Sequence, residues 1–311
     1  MINSPRDLLA PMSNARVVVI GNFDGVHRGH QQLISSARAA AGDGTVIAVT
    51  FWPHPMSVIR LDRTPLLLTT LDERRNLLRA AGVDEVVVVN FTDQVAGWAP
   101  EHFVDEVLRP LRPTRIMVGE NFRFGFRASG DVSLLTRLGK EDGSFSVEGI
   151  SLSTDGRQPD SSTEIRAAIA AGDVDLACHL LDRPFRVRGV VIKGAQRGRE
   201  MGFPTANVPV PDGMAVPADG VYAGWLTCLD RPDAERWPSA ISVGSNPTFI
   251  GENRRVETYV LDRDDLELYG IEIAVDFEHR LRGQVKYAGM EALIDQMHLD
   301  IDKARSLLLG R

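Results

Sequence analysis

The stretch RVVVIGNFDGVHRGH, Arg16 to His30, decides how the first half of the chain folds. A short β-branched run ends at Ile20, glycines 21 and 25 turn the chain, and a helical stretch opens at Gly29 and runs to Ala41. Continuous apolar runs of this length are how strands buried on both faces read. Three further runs repeat the pattern at Thr45–Phe51, Glu85–Asn90 and Arg115–Val118. Between them lie helical stretches at Leu71–Ala81, stopped by Gly82, and at Pro100–Leu108. Such alternation predicts right-handed crossovers and an open parallel sheet whose ligands sit at the carboxyl ends of the strands.

The pattern changes near residue 184. After helical stretches at Thr163–Ala171 and Val174–Leu181, strand signals follow one another without helices: Arg186–Ile192, Gly220–Leu229, Pro238–Val243, Val256–Leu261 and Ile271–Leu281. That grammar predicts an antiparallel barrel or sandwich. A last helix carries an apolar stripe from Met290 to Leu308 and ends at Gly310. Two domains, residues 1–183 and 184–311, are expected, as 311 residues allow.

Net charge is −7, split as 19 Lys+Arg against 23 Asp+Glu up to Arg183 and 16 against 19 beyond it. Neither half is basic, so nucleic acid is not an expected partner, and an anionic ligand must be met locally. No apolar run approaches the ~20 residues of a membrane span, and Met1–Ala15 does not read as a secretory signal. With two cysteines at no metal-ligand spacing, a cytoplasmic address is expected. Association into a homo-oligomer is left open.

Several motifs could carry chemistry. Gly21, Phe23, Asp24 and Gly25 sit where an α/β sheet offers backbone N–H groups to phosphate, and His27 and His30 share one face of the first helical turn. A glycine-rich turn with two solvated histidines would use the same letters. Ser161-Ser162-Thr163-Glu164-Ile165-Arg166 reads as a capping box, or as hydroxyls and amides facing an anion balanced by Arg166. Pro53, His54 and Pro55 follow one strand; Asn121, Phe122 and Phe124 follow another, so rings and amides converge on one crevice. In the second half, Gly194, Arg197, Gly198, Arg199, Gly202 and Pro204 form a loop able to wrap a triphosphate. Thr205 and Asn207, two apart, share a face and offer neutral oxygens to Mg²⁺. Glu257, alone on a strand, reads by itself as a solvated residue.

Taken together, GNFDGVHRGH (21–30), TFWPHP (50–55), GENFRFG (119–125), SSTEIR (161–166), RGREMGFPTAN (197–207), NPTF (246–249), VETYVLD (256–262) and LYG (268–270) resemble the prokaryotic bifunctional riboflavin kinase/FMN adenylyltransferases, the FAD synthetase family. The resemblance implies an α/β nucleotidyltransferase domain, Rossmann-like with an open parallel sheet, followed by an antiparallel β-barrel riboflavin kinase domain with a C-terminal helix. It implies that ATP, riboflavin and FMN are substrates, FAD is a product and Mg²⁺ accompanies ATP. It further implies that His27 and His30 steady the ATP phosphates, with Ser162, Thr163 and Arg166 as a second phosphate motif. Pro53, His54, Pro55, Asn121 and Phe124 would line the FMN/ATP crevice; Thr205 and Asn207 would hold magnesium-ATP, and Glu257 would be the kinase base.

Three positions depart from the family pattern: Asp182 replaces a glycine, and after Arg282, which is kept, Gln284 and Tyr287 replace Glu and Phe. Two rival readings use the same letters. One is a nucleotidyltransferase with another acceptor, its barrel only a ligand module; the other is a flavin carrier without catalysis, which would have no use for Glu257.

Overall fold

A computed structural model describes residues 15–151, 161–194, 198, 201–230, 235–248 and 251–310, without side chains at 245–248 and 251–253. Met1–Ser162 and Thr163–Arg311 form two compact units.

In the first unit five parallel strands take the order β3-β2-β1-β4-β5: β1 (Arg16–Ile20), β2 (Thr45–Trp52), β3 (Glu85–Asn90), β4 (Arg115–Gly119) and β5 (Ser146–Ile150). Helices connect them: α1 (Arg28–Ala41), α2 (Pro55–Ile59), α3 (Leu71–Ala80), α4 (Asp93–Ala96), α5 (Pro100–Phe103) and α6 (Val132–Glu141). The period-two alternation of a strand explains the continuous valine runs. Val18, Ile20, Ile47 and Val49 enter a core with Phe103 and Leu108, while Val17, Val19, Val46 and Ala48 enter another with Leu33 and Ile34. The stretch Pro100–Leu108 is not one regular helix; after Phe103 its turns widen and then tighten before Arg112 takes φ +50°.

The second unit begins with α7 (Ser162–Ala171, its first residue belonging to the first unit) and α8 (Val174–Leu181). The antiparallel sheet runs β6-β11-β8-β9-β10-β7, from β6 (Phe185–Val190), β7 (Ala206–Pro209), β8 (Gly220–Cys228), β9 (Arg236–Thr248), β10 (Gly251–Val260) and β11 (Glu272–Gly283). Its two ends meet where the Ile192 amide donates to Asn207 O at 2.9 Å, so the sheet nearly closes into a barrel. The last helix, α9 (Met290–Leu309), lies on the barrel through its middle: Ile301 and Ala304 join Phe203, Val221 and Leu281, whereas Met290 and Leu307 at its ends are exposed. Gly310 closes it at φ +64°.

The compact units therefore assign α7 and α8 to the second, because α8 packs on β6 and β11. The readings on Met1–Asn14, Arg197, Arg199 and Phe249 lie outside the described residues.

Candidate functional site

The loop after β1 is shaped by a buried ion pair. Asp24 turns its carboxylate inward, where it accepts from the Leu68 and Thr69 amides at 3.1 Å, from Thr69 Oγ1 at 3.0 Å and from the Arg74 guanidinium at 3.2 Å. Both Asp24 and Arg74 are almost fully buried, at 1% and 0% exposure. Arg74 also donates to Phe51 O at 3.3 Å and covers the Trp52 ring. Gly25 donates its amide to Thr69 Oγ1 at 3.3 Å and takes φ +84°, while Phe23 and Val26 also adopt positive φ. Phe23 and Val26, two non-glycine residues in the left-handed region, store strain, which the Asp24 anchor holds in place. Asp24 thus shapes the loop after β1 with its carboxylate turned into the protein.

On that loop the two histidines face each other. His27 occupies the N-cap of α1, and the His27 and His30 rings stack at 3.7 Å with Phe23 edge-on to His30. Burial, then the neighbouring His27 and the Arg74 charge, hold the His30 imidazole well below its ordinary pKa, and among the described residues its buried Nδ1 has no hydrogen-bond partner. A neutral, unsatisfied imidazole beside a helix N-terminus is prepared for negative charge. The second motif begins here: Ser162 Oγ donates to Asp24 O at 2.9 Å. On the first turns of α7, Thr163 is exposed and Arg166 half-buried.

Beside the loop lies a cleft of about 610 Å³, lined by Phe51, Phe91, Phe103, Phe122 and Phe124 together with Gly21 and Asn22. The part of its lining where the Phe122 and Phe124 rings stack at 5.4 Å depends on glycine. Gly125 has φ +73°, and a Cβ there would lie 2.6 Å from Pro100 Cγ. Pro55 lines the cleft. His54 does not: it is buried as the N-cap of α2, its Nδ1 accepting from the Met56 amide at 3.2 Å. Pro53 and Asn121 are exposed outside the lining.

In the barrel, Gly194 leaves room over Asn207; a Cβ there would meet its amide group at 2.7 Å. The Asn207 side-chain nitrogen donates to Thr205 O at 3.2 Å and to Thr205 Oγ1 at 3.4 Å, so the two side chains that offer neutral oxygens stand together. Gly198 accepts from the Met201 and Phe203 amides, and Gly202 turns at φ +86°. Pro204, Thr205 and Asn207 line one narrow cleft. Thr205 also lines a second, of about 430 Å³, with Gly198, Tyr259, Glu257 and Arg282. Register places Glu257 directly opposite Asn207. Far from being solvated, Glu257 is partly buried, and burial raises its carboxyl above the usual range despite the opposing Arg255 charge. That is the direction a general base requires.

Arg282 binds Asp300 through both oxygens, at 2.9 and 2.7 Å, and Gln296 adds a bond to the same carboxylate at 3.0 Å. The hydrogen bond to Asp300 raises the Arg282 pKa further. Its guanidinium therefore clamps α9 to β11 at the wall of the cleft. Sequence reading missed Asp300, although a charged residue inside the stripe Met297–Ile301–Ala304 was the available signal.

Comparison with known proteins decides the family. Residues 10–164 match the FAD synthetase family and residues 181–308 the riboflavin kinase family. The bifunctional riboflavin kinase/FMN adenylyltransferase of Escherichia coli K12 is 35% identical over 292 residues, covering 93% of this chain and 91% of its own. This chain belongs to that family. The Bacillus subtilis member is 33% identical over 309 residues, covering 97% of this chain and 96% of its own. A solved Streptococcus pneumoniae structure, described as a macrolide-efflux protein, superposes with TM-score 0.85 at 30% identity over 98% of this chain and 97% of that one. No helix among the described residues is long and apolar enough to cross a membrane. As a family member the chain is a riboflavin kinase and FMN adenylyltransferase, with the FAD synthetase domain first.

Proposed function

We propose that the first unit joins the adenylyl group of ATP to FMN at the His27–His30 loop and that the barrel phosphorylates riboflavin at Glu257. Both reactions displace at phosphorus, so positioning and charge stabilisation dominate. In the transferase, the FMN phosphate attacks the α-phosphate and pyrophosphate leaves. That nucleophile is already an anion, so the loop needs no base, and it has none: its one carboxylate is spent on Arg74. His27, His30, the α1 N-terminus and Ser162 would meet the phosphates, and the phenylalanine-walled cleft would take the flavin ring.

In the kinase, the terminal hydroxyl of the riboflavin side chain attacks the γ-phosphate and Glu257 takes its proton. The observation that supports this most is the place of Thr205, which borders both the nucleotide-side cleft and the cleft that holds Glu257. Thr205 and Asn207 fit a hard cation: their oxygens are neutral, Gly194 adds no side chain to crowd the Asn207 amide, and the nucleotide brings the charge. Mg²⁺ bound there would lower the negative charge on the β- and γ-phosphates. No cluster of three His, Cys, Asp or Glu occurs among the described residues to rival that seat.

We place the enzyme in the cytoplasm, where its ATP is made, and retain residue 183 as the boundary between the catalytic modules. The test is incubation with riboflavin, ATP and Mg²⁺, separating FMN from FAD, with and without EDTA. The reading expects FMN, then FAD, and neither once the cation is chelated. FAD from added FMN but no FMN from riboflavin would instead favour a barrel that only binds ligand.

A further inference from the structure

Glu257 lies in the middle of a row that crosses three strands. Asn207 on β7 and Ser242 on β9 are its direct register partners on either side. Residues so opposed share a face and stand roughly 4.5–5.5 Å apart at Cβ. Ser242 and Glu257 line the same 430 Å³ cleft.

Gln284 fixes the Ser242 hydroxyl. Its side-chain nitrogen donates to Ser242 Oγ at 3.3 Å and to Val243 O at 3.0 Å, which uses both amide hydrogens. An ionised carboxylate at 284 could make neither bond. With Oγ accepting from Gln284, the serine keeps its own hydrogen to donate, and Ser242 lines the cleft. Among the described residues neither that hydroxyl hydrogen nor the Glu257 carboxylate has a hydrogen-bond partner. One donor and one acceptor thus stand unspent, side by side, at a spacing that two neighbouring hydroxyls of a polyol can span.

We propose that Ser242, braced by Gln284, is a substrate-positioning residue that donates to the flavin's polyol chain beside the hydroxyl that Glu257 activates. The proposal rests on Glu257 as the kinase base and adds how the acceptor hydroxyl is aimed. It makes Ser242 sensitive to the polyol and indifferent to the flavin ring.

Steady-state riboflavin phosphorylation by the full chain tests this, with lumiflavin, the same ring carrying a methyl in place of the polyol, as competitive inhibitor. Ser242→Ala is expected to raise the KM for riboflavin between about twofold and tenfold, the worth of one neutral hydrogen bond. The inhibition constant of lumiflavin should stay within twofold. Ser242→Thr keeps the hydroxyl and should restore the KM; Gln284→Glu should raise it, because its carboxylate takes the serine hydrogen. An unchanged KM in Ser242→Ala, or parallel losses for riboflavin and lumiflavin, overturns the proposal. Failure of the base reading shows elsewhere: Glu257→Gln with undiminished kcat would remove the base and leave the polyol-specific loss in Ser242→Ala standing.

Discussion

Replacing Asp24 by alanine should destabilise the first unit without any direct contact with a ligand. The change leaves the Arg74 guanidinium, 0% exposed, without its carboxylate, and strips the Leu68 and Thr69 amides of their acceptor. An uncompensated buried charge typically costs 3–5 kcal/mol, so the unit should melt about 6–20 °C lower at roughly 2–4 °C per kcal/mol. Because the His27–His30 loop hangs on this anchor, conversion of FMN to FAD should fall with stability and recover on cooling, while riboflavin phosphorylation persists. Calorimetry beside both assays measures this. A second variant separates the pair from its surroundings: Asp24→Asn with Arg74→Gln should cost less than the sum of the single changes. A melting point within 2 °C of the parent, with FAD formation abolished, would refute the reasoning and return Asp24 to the ligand.

Protonation gives a further test, since His30 is held neutral. Its pKa is lowered on folding from 6.5, so below that pH the unfolded chain takes up a proton that the folded one refuses. Stability of the first unit should therefore fall as pH drops below 6.5 and level off under the native pKa, and His30→Gln should flatten the slope in urea titrations between pH 8 and 5.5. A fragment of residues 1–183 should convert FMN to FAD; a folded but inactive fragment would overturn residue 183 as the boundary between the catalytic modules.

Much of the fold was legible because burial on two faces writes itself into the sequence. The valine runs of β1 and β3 matched to the residue, and β2 and β4 each extended one residue further. Strand β5, Ser-Val-Glu-Gly-Ile, was not legible: it is a half-exposed edge, with a glycine and a glutamate where a buried strand would carry branched residues. Strand β7 is four residues ending in proline, too short to announce itself. In the site, spacing alone could bring His27 and His30 together, since a helical turn does so. It could not show that Asp24 faces inward, because its partners lie 44 to 50 residues away. Glu257 read as solvated for a related reason: its register partners Asn207 and Ser242 lie on strands 50 and 15 residues away, which only the folded sheet brings beside it.

The most direct test of the central claim, two independent sites with a single carboxylate base, is Glu257→Gln assayed on both reactions in one preparation. The substitution keeps size and hydrogen-bonding shape and removes the proton acceptor. FMN formation from riboflavin should fall by ~10²–10⁴, the usual worth of a general base, while conversion of supplied FMN to FAD is unchanged. Riboflavin phosphorylation within threefold of the parent, or equal loss of both reactions in a folded protein, would contradict the account.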